Sequence, residues 1–117
     1  MKKLINLTPH PIVIINGGGT VTLPPSGMVA RVSEREREVS RINNIPIVKI
    51  EYGDVNGLPE PETGTIYIVS ALVAQVVVNR VDIVYPTRFV RDEAGRIIGC
   101  GALAATSWGG ENNGHNT

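Results

Sequence analysis

A chain of 117 residues, 42% hydrophobic and 19% charged, has the make-up of one globular domain and excludes a disordered one. Eleven Lys and Arg balance eleven Asp and Glu, and that neutrality weighs against duplex DNA or RNA as a partner, which needs a basic face to neutralise phosphates. The single cysteine, Cys100, excludes a disulfide framework within the chain, and no stretch approaches the roughly 18 apolar residues of a membrane-spanning helix.

Aromatic residues are few: Tyr52, Tyr67, Tyr85, Phe89 and Trp108. The core is therefore expected to be Val, Ile and Leu, with Cys100 among them, and such β-branched residues favour strands. At the N-terminus the apolar run is too short for a signal peptide and is broken at Asn6, so a cytoplasmic location is expected. Leu4 to Leu7 reads as a short strand, interrupted by Thr8-Pro9-His10-Pro11 because proline removes ladder donors. Ile12 to Ile15 reads as a buried strand. Asn16 to Gly19 is its turn, and Thr20 to Leu23 returns to complete a hairpin. Pro24-Pro25-Ser26-Gly27 is a further turn.

Met28 to Val39 carries the alternating stretch Ser33-Glu34-Arg35-Glu36-Arg37-Glu38. Its valines fit helical spacing poorly, so an extended, solvent-facing hairpin arm is expected. The arm turns at Arg41 to Asn44 and returns over Ile45 to Tyr52, with Pro46 marking an edge or a strand start. Gly53 to Pro61 is a loop. Thr65 to Val69 is a buried strand, and Ser70 is an N-cap for a short helix over 71–77. Ile83 to Tyr85 reads as a strand ended by Pro86, which Phe89-Val90 resumes. Asp92 to Gly95 is a turn, and Arg96 to Leu103 is the final strand. The expected fold is mainly β (a β-rich α+β protein): a compact barrel or sandwich of about seven or eight short strands with one short helix. Residues 1–105 form the domain, and 106–117 form a flexible Gly- and Asn-rich tail unless a partner subunit holds Trp108.

No metal-ligand spacing joins His10 to His115, no Gly-x-Ser-x-Gly surrounds Ser26 or Ser70, and Gly17-Gly18-Gly19 lacks the lysine and helix of a phosphate-binding loop. Neither a metal, a cofactor nor catalysis is called for. The polar residues that stand out lie at turns. Thr8 and His10 sit between prolines that stiffen the backbone, giving either a rigid bend or a surface that stacks on a base or bonds a ribose. Ser26, its turn amides and Arg31 form a candidate anion cradle. Arg80 and Asp82 share one side of an extended segment, as a loop lock or as an anion-binding pair. The Glu/Arg arm is a solvated strand face or an edge for pairing between subunits.

Five blocks carry a resemblance. They are Asn6-Leu7-Thr8-Pro9-His10, then Pro24 to Arg31, Gly57-Leu58-Pro59-Glu60-Pro61, Tyr67 to Ala74, and Arg80-Val81-Asp82 with Pro86. In this order they resemble a family of small proteins encoded by phages and prophages, over about residues 4 to 103. The resemblance brings no assigned activity. What it implies is an anti-defence role, since small phage proteins without catalytic motifs include sponges that sequester cyclic or ADP-ribose-type nucleotide signals. Such sponges are homo-oligomers that use arginines, amides and stacking side chains. Thr8, His10, Ser26, Arg31, Tyr67, Ser70, Arg80 and Asp82 supply that inventory for a small anionic nucleotide. The alternatives are a protein–protein inhibitor or small phage structural module, and an enzyme cleaving a nucleotide signal with His10 as acid or base.

Overall fold

A computed structural model of the chain describes residues 2–109. The C-terminal part of the expected tail, residues 110–117, and with it His115, lies outside them. Eight strands and one helix follow in the order β1 (Lys3–Asn6), β2 (Ile12–Asn16), β3 (Gly19–Leu23), β4 (Arg31–Ile42), β5 (Ile45–Asn56), β6 (Thr65–Ile68), α1 (Ala71–Val76), β7 (Ile83–Arg91) and β8 (Ile97–Ala104). Six strands form a curled half-barrel sheet in the order β1-β6-β7-β8-β2-β3, and β4 and β5 form a separate hairpin. The protein is thus β-rich with one short helix, as its β-branched composition predicts.

The sheet is mixed. β1 runs parallel to β6, β6 parallel to β7, and β2 parallel to β8, whereas β7–β8 and β2–β3 are antiparallel. A parallel pair needs a crossover of about a dozen residues, and α1 lies in the crossover between β6 and β7. Ser70 caps it, its hydroxyl accepting from the Val73 amide at 3.3 Å. All four residues of β6 are buried, which fits a parallel strand covered on both faces.

One core cluster unites Leu7, Ala30, Tyr67, Val69, Val73, Ala74 and Ile83, with Val32, Val55 and Leu58 packed against it. The other unites Ile12, Ile66, Ile68, Val84 and Cys100. Because side chains alternate along a strand, Tyr67 serves the first cluster while Ile66 and Ile68 serve the second. At the β2–β8 contact the backbones approach closely. A Cβ on Gly99 would lie 2.9 Å from the Val13 carbonyl oxygen, so only glycine fits there without displacement.

Two local expectations change. Pro86 does not end its strand: β7 runs unbroken from Ile83 to Arg91, with Pro86 opposite Leu103 of β8. The reason is that β6 pairs with β7 only as far as Val84, so beyond it one edge of β7 has no partner strand among the described residues and a missing N–H there removes no ladder bond from them. The arm also reaches further than its sequence pattern implied. β4 and β5 have 12 residues each, about 40 Å of strand, and their loop is Asn43-Asn44 alone. Both asparagines have positive φ, 52° and 66°, which a two-residue hairpin loop demands.

Residues 106–109 lie against the helical end of the domain. Thr106 donates to the Ala74 carbonyl, Ser107 to the Val78 carbonyl, and the Gly109 amide to the Val81 carbonyl at 2.8 Å. Trp108 joins Leu4, Ile66, Val84 and Leu103 around an apolar hollow of about 490 Å³.

Candidate binding cleft

The link from β1 to β2 is organised by Asn6, a residue only 3% exposed. Its Nδ2 donates to the carbonyls of His10 at 2.9 Å and Leu23 at 3.0 Å. Its Oδ1 accepts from the amide of Thr8 at 2.9 Å and from its hydroxyl at 2.7 Å. An amide side chain offers two donors and one accepting oxygen, and all are used. The backbone carbonyl of Asn6 in turn accepts from the Ser26 amide, and that of Leu7 from the Ala30 amide. Asn6 therefore ties the Thr8–Pro11 bend, the end of β3 and the Pro24–Ala30 segment into one rigid corner.

Beside this corner lies an open cleft of about 250 Å³. Leu7, Thr8 and Pro9 form one wall, Val29 to Val32 and Glu34 a second, and Ser70, Leu72 and Val73 at the start of α1 a third. Thr8, Arg31 and Ser70, distant in sequence, thus meet at one place. The Arg31 side chain makes no ion pair among the described residues. Glu34 is the carboxylate of the cleft and limits the charge it can offer an anion.

The other expected site residues lie elsewhere. His10 is exposed on the outside of the bend, with its backbone rather than its ring engaged. The Ser26 hydroxyl exchanges hydrogen bonds with Met28 within its own turn, at 3.3 Å each way. Tyr67 is buried at 2% exposure, and its hydroxyl donates to the Glu60 carbonyl.

Arg80 and Asp82 form a bidentate pair, both bonds 2.9 Å. Arg80 also donates to the Pro59 carbonyl at 3.0 Å. The pair pins the Gly57–Pro61 loop to the segment after α1. Hydrogen bonding to Asp82 raises the guanidinium pKa further, against the opposing effect of burial.

Among the described residues no group of three or more His, Cys, Asp and Glu is placed to hold a metal ion, and no helix is long and apolar enough to cross a membrane. Sequence reasoning missed Asn6 as the organiser of this corner. The available signal was an amide directly before a Thr-Pro-His-Pro bend, where Asn side chains commonly satisfy turn backbone. No protein-family model, no curated protein and no solved structure matches the chain.

Proposed function

We propose that this chain is a phage-encoded, cytoplasmic, homo-oligomeric anti-defence protein that binds and sequesters a small anionic nucleotide signal without chemistry. The observation that carries the reading is the meeting of Thr8, Arg31 and Ser70 at one cleft, with Arg31 in no ion pair among the described residues. A guanidinium beside a rigid, pre-formed wall suits a phosphate, since little order is lost on binding. The cleft's small size and single cation suit contact with one phosphate and its neighbouring sugar rather than enclosure of a whole dinucleotide. In a homo-oligomer a second copy would supply the remaining contacts.

The test is direct. The protein is incubated with cyclic dinucleotides, cyclic trinucleotides and cyclic ADP-ribose isomers, separated from free ligand, heat-denatured, and the released nucleotide identified. Recovery of an unaltered nucleotide, lost on Arg31→Ala, is the expected result. A converted nucleotide would favour the enzyme alternative, and no retention of any of them would remove the reading.

A second reading, a protein–protein inhibitor or structural module, draws support from the exposed β4–β5 arm. Capture of one stoichiometric protein partner that is lost when residues 33–52 are replaced by a short turn would favour it.

A further inference from the structure

Every residue from Ser33 to Ile50 is exposed. The arm therefore presents Val39, Ile42, Ile45, Ile47, Val48 and Ile50 to solvent, at 39% to 61% exposure. A two-stranded ribbon is marginal on its own, and an exposed apolar strand edge is a template for pairing. The arm's charges are sorted by face. Glu34, Glu36 and Glu38 stand opposite Tyr52, Ile50 and Val48 on one face, and Arg35 and Arg37 stand opposite Glu51 and Lys49 on the other.

Glu51 holds both Arg35 and Arg37, at 3.5 and 3.4 Å. Lys49 is left facing Arg37, a like charge, and makes no ion pair among the described residues.

We propose that the outer edge of β5 pairs antiparallel with the same edge of a second copy, across a two-fold axis beside Ile50. This develops the oligomeric half of the proposed function and is independent of the ligand. When a strand pairs with its own copy across a two-fold axis, residues equally far before and after the axis stand opposite each other. Opposed positions therefore differ by an even number. On the outer edge of β4 the glutamates occupy even positions and the arginines odd ones, so every such pairing centred within the charged stretch from Glu34 to Glu38 sets like charge against like, which is destabilising.

The β5 edge behaves differently. An axis at Ile50 sets Ile50 against its copy, Val48 against Tyr52, and Lys49 against Glu51 twice over. Moving the axis to Lys49 or Glu51 opposes like charges, and moving it to Val48 sets Lys49 against Ile47. Charge therefore selects one register. The paired stretch runs from Val48 to Tyr52, bounded by Pro46, which lacks a donor, and by the break in strand register beyond Tyr52. The product is a four-stranded sheet in which Lys49 gains a carboxylate partner that none of the described residues of its own chain supplies.

The oligomeric state is measured by light scattering and sedimentation on the intact chain. A two-fold dimer is expected. Lys49→Glu and Glu51→Lys should each weaken it by about tenfold or more, with most of the loss recovered in the double exchange. Lys49→Glu places a carboxylate opposite Arg37 in its own hairpin, so it supports the folded arm and its effect on the dimer is not an unfolding effect.

Ile50→Cys, tested in a Cys100→Ser background, should oxidise rapidly to a covalent dimer, because directly opposed residues lie about 4.5–5.5 Å apart at Cα, within disulfide range. Glu36→Cys on the β4 edge should not. A monomeric wild type at millimolar concentration, a dimer indifferent to Lys49→Glu, or preferential cross-linking at Glu36→Cys would each overturn the proposal. A dimer of this register in a chain that retains no nucleotide would support it and remove only the ligand half of the function.

Discussion

The side-chain oxygen of Asn6 accepts two hydrogen bonds from one residue, the amide and the hydroxyl of Thr8, at 2.9 and 2.7 Å. Asn6 is buried, so these bonds and the two its Nδ2 donates cannot be exchanged for water on the same terms. Asn6→Asp keeps the shape and the accepting oxygen but removes both donors, leaving the His10 and Leu23 carbonyls short of a partner and a charge in the interior. A loss of about 3 kcal/mol in unfolding free energy is expected. Urea denaturation checks it, and a loss below about 1 kcal/mol would show that the corner does not depend on Asn6.

Gly57 tests the wall of the cleft from behind. Its φ is +85°, and a Cβ there would strike the Val29 carbonyl, which is backbone and cannot swing aside. Gly57→Ala is expected to cost about 2 kcal/mol and to shift the Val29–Val32 wall, so both thermal stability and nucleotide retention should fall. Retention unchanged in a destabilised variant would separate the cleft from the ligand.

Ser70 separates capping from binding. Ser70→Ala removes the hydrogen bond to the Val73 amide and should lower stability by about 1 kcal/mol. Ser70→Asp keeps a cap acceptor and restores stability, but its negative charge faces the cleft. If the cleft takes an anion, Ser70→Asp binds less well than Ser70→Ala despite being more stable. The opposite order, read by calorimetric titration, would count against an anion at this place.

The Arg80–Asp82 pair should act on stability rather than binding. The side chains are 22% and 13% exposed, and Asp82→Asn leaves a guanidinium with one charged partner fewer in a mostly covered position, at a cost of about 2 kcal/mol. The guanidinium pKa is raised by Asp82. Its contribution is therefore complete at any pH below the ordinary arginine value and is lost only as pH rises through the raised one. Protonating or deprotonating Arg80 should not contribute to changes in stability between neutral and mildly alkaline pH, and the Asp82→Asn deficit should stay constant over that range in chemical denaturation. Nucleotide retention is expected to be unaffected.

Much of the fold was legible because the signals were local. The Asn16–Gly19 turn, a turn within Arg41–Asn44, the Ser70 cap and the alternation of charge along β4 each follow from neighbouring residues, although the turn is tighter than that segment, with Asn43-Asn44 alone between the strands. The strand order was not legible. β1 meets β6, and β2 meets β8, through parallel pairings between distant segments, and nothing in Leu4-Ile5 or Ile12–Ile15 encodes which apolar strand lies alongside. Pro86 misled for the same reason, since its tolerance depends on where β6 stops. Of the candidate site, Thr8, Arg31 and Ser70 were each visible as turn or cap residues, yet their meeting at one cleft is a tertiary fact. Asn6 was hidden because its identity suggests a surface turn while its four hydrogen bonds keep it inside.

The position of β8 has a consequence for how the chain comes to be folded at all. β2 and β3 come early in chain order, but they join the main sheet only alongside β8, the last of the described strands. On the ribosome the first hairpin must therefore wait, with Ile12 and Ile14 uncovered, for Ile97–Ala104 to emerge. Nascent chains arrested before Gly99 should be cut readily by protease in the β2–β3 region, and chains arrested well beyond Ala104 should resist. The first hairpin is thus exposed to chaperones and to aggregation for as long as the segment from Pro24 to Ala104 takes to be made, a burden that a simple chain of hairpins would avoid.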